Sequence, residues 1–102
     1  MALNTTRFDA AEHLAEPADH AALIADAFDS GDATYIAHAL GIVARARGMS
    51  QVARDAGVSR EALYKALTAD GDPKLSTLLG VARALGLRLS AQPAPAAAHS
   101  GL

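Results

Sequence analysis

The sequence predicts an all-α fold of five to six helices with one short C-terminal β-strand, on three observations. Alanine supplies much of the 51% apolar share of the 102 residues, and aromatics are only 4%. An alanine-rich, aromatic-poor chain with few β-branched residues favours helices. Apolar residues also recur at helical spacing in one segment after another, each bracketed by a capping residue or a glycine. Only Leu87-Arg88-Leu89-Ser90 alternates apolar and polar as a half-buried strand does.

Residues 1–8 show no period and are expected to form an arm. Residues 9–31 are expected to form acidic N-terminal helices. Asp9 can N-cap a short one at residues 10–15, and Pro17 suits the first turn of the next. In that second helix Leu23, Ile24, Ala27 and Phe28 fall on one side, while Asp19, Asp26 and Asp29 fall opposite; Gly31 ends it. Residues 32–90 form the main domain. Asp32 is the next N-cap, and Ile36, Ala39, Leu40 and Val43 share a stripe over residues 33–47. Arg45 and Arg47 near the C-terminus of that helix suit its dipole, and Gly48 is a stop. Two short helices follow, at residues 49–56 and 60–69, separated by Gly57-Val58-Ser59. Asp70-Gly71-Asp72-Pro73 is a loop by its turn chemistry. A last helix over residues 75–85 is expected to bury Leu75, Leu78, Leu79, Ala82 and Leu85, with Gly86 closing it. The strand at residues 87–90 finds no alternating partner in the chain, so Leu87 and Leu89 are expected to form a dimer contact. Residues 91–102, with Pro93 and Pro95 among alanines, are expected to be disordered.

Length allows one hydrophobic core. The absence of cysteine excludes disulfides and thiolate chemistry. No apolar run approaches the ~20 residues that span a bilayer, and no cationic start precedes a greasy stretch, so a cytoplasmic protein without a membrane partner is expected. The net charge of −2 argues against a polyanion partner, but its distribution does not. Residues 1–40 carry one arginine against seven acids, a net −6, and residues 41–102 carry eight Arg/Lys against four acids, a net +4. An acidic half joined to a basic half suggests two surfaces with different partners.

The informative constellation lies at residues 49–67. Two steeply crossing helices must approach closely, and Ala53 is the small residue on the first. Gly57 suits a turn that needs positive φ, Val58 plugs the angle, and Ser59 caps the second helix. Leu63 and Leu67, one turn apart, anchor that helix to the core. At ~100° per residue, Arg60, Glu61, Tyr64, Lys65 and Thr68 share an outward arc of roughly 140°, with Ala62, Leu63, Ala66 and Leu67 opposite. Cations, a phenol, a hydroxyl and a carboxylate are the groups that contact base edges in a major groove. Ser50 and Gln51, near the start of the first helix, are placed to bind a backbone phosphate, and Ser59 opens the second. Glu61 also suits a plain helix-dipole role, and Tyr64 a ring packed on its own domain.

This segment resembles a lambda-repressor/Cro-type helix-turn-helix. With its flanks, "GDATYIAHALGIVARARGMSQVARDAGVSREALYKAL" and "TLLGVARALGLRLS", and the block "RFDAAEHL", the chain resembles the addiction-module antidote (antitoxin) family over about residues 7–90. The resemblance implies a lambda-repressor-like helix-turn-helix domain. It also implies an antitoxin of a type II toxin-antitoxin module that binds operator DNA, represses its own operon and neutralises a RelE/ParE-like toxin. One departure is Met49, where the Cro-type pattern often has glutamine; Gln51 comes later. The expected state is a homodimer with Arg60, Lys65 and Tyr64 leading the DNA contacts. A solitary prophage-type transcriptional regulator, or a helical interaction adaptor, are the alternatives.

No enzyme is expected. His13, His20, His38 and His99 are scattered without metal-ligand spacing, no glycine-rich loop cradles phosphate, and nothing places Ser, His and Asp as a triad. No metal and no cofactor are therefore expected, and His20 falls on an apolar stripe as a packed histidine would.

Overall fold

The computed structural model of the chain describes residues 17–68 and 70–95. They form five helices: α1 (Pro17–Ser30), α2 (Ala33–Arg47), α3 (Met49–Ala56), α4 (Arg60–Ala66) and α5 (Leu75–Ala84). The all-α expectation holds among them. The short helix expected at residues 10–15, and the tail beyond residue 95, lie outside the described residues.

The helix boundaries follow the caps. The Asp32 carboxylate accepts the N–H groups of Thr34 at 2.9 Å and Tyr35 at 3.4 Å, satisfying donors that the first turn of α2 leaves free. Gly57 takes the left-handed conformation after α3, with φ 78°. The Gly57 N–H then bonds the Arg54 carbonyl at 3.2 Å, and the Val58 N–H bonds the Ala53 carbonyl at 3.0 Å. The same paired reversal closes α5 through Gly86 and Leu87, whose N–H groups meet the carbonyls of Arg83 and Ala82 at 3.0 and 2.7 Å. In both turns an apolar residue follows the glycine and packs on the core.

α2 lies at the centre. It buries Ala37, Ala39, Leu40, Gly41, Val43 and Ala44, a wider arc than one stripe, because α1 and α3 both pack against it and the Leu67 backbone lies over Gly41. α1 turns Ile24 and Ala27 inward, with Leu23 and Phe28 half-buried, and leaves Asp26 and Asp29 exposed. The Tyr35 hydroxyl donates to Asp26 at 2.6 Å and ties α2 to α1. His20 of α1 is buried, and its Nδ1 accepts from Arg47 Nε at 2.8 Å. The ring proton therefore sits on Nε2, which has no hydrogen-bond partner among the described residues. Burial pushes the His20 pKa below the ordinary 6.5, the Arg47 charge pushes it the same way, and Asp19 opposes. Arg47 thus does more than complement the helix dipole.

The core is aliphatic: Leu40, Leu63, Leu67, Val43 and Val81 are its largest fully buried side chains. α5 departs from the expectation. Ala82 and Leu85 are buried and Leu78 is half-buried, but Leu75 is 69% and Leu79 45% exposed. Val81 is buried in their place. The reason is close approach: a Cβ on Gly80 would lie 2.8 Å from the Ala56 carbonyl oxygen, so α5 meets α3 with its glycine face. That contact, and not the count of leucines, sets the rotation of the helix.

Residues 87–90 form no strand with any described segment. An alternating stretch becomes a strand only by pairing, and no second alternating stretch exists in the chain. Leu87 is half-buried against the chain's own core, and Leu89 is half-buried. Among the described residues no helix is long and apolar enough to cross a membrane.

Candidate nucleic-acid interface

Each expected contact residue has a definite place on α3, the turn or α4. Ser59 has extended backbone at the N-cap of α4, and its Oγ accepts the Ala62 N–H at 3.0 Å. A cap of this kind contributes about 0.5–2 kcal/mol to helix stability. Its hydroxyl is therefore already engaged in fixing where α4 begins. Leu63 and Leu67 are 0% and 1% exposed and hold the inner side of the helix. Arg60, Glu61, Tyr64, Lys65 and Thr68 are all exposed, as their arc predicts.

One residue of the expected inner arc lies outside. Ala62 is exposed, so the outward arc of α4 spans about 200° at ~100° per residue. A short helix is held along one narrow line, here Leu63 and Leu67 with Ala66 half-buried, and an alanine on the flank is left in solvent. Ser59, Glu61, Ala62, Tyr64, Lys65 and Thr68 line one open depression of about 610 Å³. Ser50 and Gln51 are exposed on the first turn of α3 and are not part of that lining. The Gln51 amide nitrogen donates to Asp55 at 2.9 Å, and its amide oxygen accepts from Arg54 at 2.9 Å, so the side chain lies along its own helix. The N-cap of α3 is Gly48, which offers no side-chain acceptor, so the first-turn N–H groups of α3 have no side-chain cap.

Tyr64 is the hub of the outer surface. Arg60 Nη2 donates to its hydroxyl at 3.4 Å, and the Arg60 guanidinium carbon lies 5.4 Å from the ring centroid. Arg45 of α2 reaches the same ring at 5.7 Å. Arg45 is a residue that sequence reasoning missed as part of this surface. Its only signal was its position off the apolar stripe of α2, which a helix-dipole role explained equally well. Three cations, Arg45, Arg60 and Lys65, thus gather around α4 with one carboxylate, Glu61.

No solved structure matches the chain. An uncharacterized protein of Haemophilus influenzae is 45% identical over 85 residues, which cover 83% of this chain and 88% of the relative. A family model described as probable addiction module antidote protein matches residues 4–93, nearly the whole chain, and the chain belongs to that family.

Proposed function

We propose that this chain is the antitoxin of a type II toxin–antitoxin module. As a homodimer it binds operator DNA through α3, the turn and α4, represses its own operon, and neutralises a RelE/ParE-like toxin. The observation that carries the DNA reading is the two-sidedness of α4: Leu63 and Leu67 are sealed inside, while Arg60, Glu61, Tyr64, Lys65 and Thr68 stand in solvent. An α-helix fits the major groove, where arginine and lysine recognise guanine and glutamate recognises the cytosine amine. In this reading α4 is the recognition helix of a lambda-repressor-like helix-turn-helix. The uncapped first turn of α3, with Ser50 and Gln51, meets a phosphate through backbone N–H groups. Two copies then place their α4 helices ~34 Å apart on a partly palindromic site.

The test is quantitative. Arg60→Ala and Lys65→Ala are each expected to weaken binding to the promoter of the operon by about 1–3 kcal/mol, roughly five- to 150-fold. Both side chains are exposed, so the helical circular dichroism spectrum stays unchanged. Unchanged gel-shift affinity in both variants would mean that α4 is not the recognition helix.

Membership of an antidote family supports the toxin partner, and the exposed Asp26 and Asp29 of α1 provide an acidic face that complements a basic toxin. Co-expression with the product of the neighbouring gene is expected to restore growth and to yield a complex on purification. Operator binding without rescue or complex would leave a transcriptional regulator and remove the antitoxin.

A further inference from the structure

We propose that Arg45, on the helix preceding the α3–α4 unit, contacts the DNA backbone, and that Tyr64 is the positioning residue that holds Arg45 at that contact and Arg60 on the recognition face. The proposal rests on the operator reading and deepens it.

Both guanidiniums lie within the ~6 Å over which a cation is attracted to an aromatic ring. Arg60 comes from the first turn of α4, at 5.4 Å from the Tyr64 centroid. Arg45 comes from α2, at 5.7 Å. Arg45 passes close over position 41, one turn earlier on α2, which is glycine. A Cβ there would lie 3.3 Å from Arg45 Nη1 and 2.5 Å from the Leu67 carbonyl oxygen. The bare glycine backbone lets the arginine lie across α2 towards α4. A free arginine carries about 2 kcal/mol of rotamer entropy, so a rigid ring that holds two of them lowers the cost of fixing both on DNA. Two like charges converging on one neutral ring have no reason to do so for each other. They do concentrate positive charge where Arg45 meets the edge of the proposed recognition face, which suits a phosphate there. An arginine reaching in from a neighbouring helix, at the edge of that face, matches a backbone contact better than a base contact.

The experiment measures affinity for the operon promoter against salt concentration, for the wild type and for Arg45→Ala, Arg45→Gln, Tyr64→Ala and Tyr64→Phe. Thermal unfolding of each variant accompanies it. Loss of one phosphate contact lowers the log–log salt slope by about 0.9. Arg45→Ala is therefore expected to weaken binding equally on every operator sequence, and its deficit to shrink about three- to four-fold between 50 and 200 mM salt. Arg45→Gln, which keeps a stem on the helix surface, gives the same slope should alanine loosen α2. Tyr64→Ala lowers the slope as well, and Tyr64→Phe, which keeps the ring, recovers most of that loss. An unchanged slope in a folded Arg45→Gln overturns the proposal. So does a folded Tyr64→Ala variant with the wild-type slope, because the ring would then position neither arginine. A wild-type protein with no salt-dependent promoter preference overturns the operator reading and this inference with it.

Discussion

Leu63→Ala is expected to remove about 2–5 kcal/mol of folding stability, the range for deleting a buried leucine side chain without full collapse of the cavity. Leu63 is 0% exposed and belongs to the same apolar cluster as Leu40, Val43, Val52 and Val81. The loss combines the transfer free energy of the removed methine and two methyl groups with the contacts their neighbours forfeit. Domains of this size are stable by only about 5–15 kcal/mol, so much of the margin is at stake. The effect is not confined to stability. α4 has seven residues, too few to persist alone, and Leu63 with Leu67 is what holds it. Operator binding should therefore fall together with the urea midpoint, unlike in Arg60→Ala, where binding falls alone. A urea titration showing a loss below about 1 kcal/mol would mean that α4 is not anchored through this side chain.

Gly41→Ala is expected to destabilise the protein, although alanine is the better helix former. Two effects compete. Helix propensity favours alanine over glycine by about 1 kcal/mol. Against it, the new Cβ would sit 2.5 Å from the Leu67 carbonyl oxygen, a backbone atom that cannot rotate away. Overpacking of this kind costs about 1–3 kcal/mol, and more when backbone must shift, so the clash wins. Relief requires α2 and the end of α4 to separate, which also displaces Arg45, whose Nη1 lies 3.3 Å from the same point. Chemical unfolding of the variant checks the sign: a rise in stability would show that α2 and α4 are not in the close contact described.

Much of the fold was legible because caps are local. Asp32, Ser59, Gly31, Gly57 and Gly86 mark helix ends through hydrogen bonds and positive φ values that involve only near neighbours. The end of α4 was less legible. The pattern extends it to about residue 69, whereas it stops at Ala66, because Gly71 folds back to within contact of the Ala66 carbonyl. A chain reversal of that kind is invisible to periodicity. The outward residues of α4 were legible because polarity separated them from Leu63 and Leu67. Ala62 was not, since an alanine is equally at home on either side of a helix.

Residue order by itself determined where the described helices lie, the caps at Asp32, Gly57 and Ser59, and the division of α4 into a sealed side and a polar side, because these depend on spacing along one chain. Only the tertiary structure decided that Leu75 and Leu79 face outward, that α2 is covered on two sides, and that Arg45 shares a ring with Arg60. The physical reason is that rotation and approach of packed helices are set where backbones come closest, here at Gly41 against Leu67 and Gly80 against Ala56. Those contacts join residues far apart in sequence, where a repeating pattern carries no information about which partner a helix face will meet.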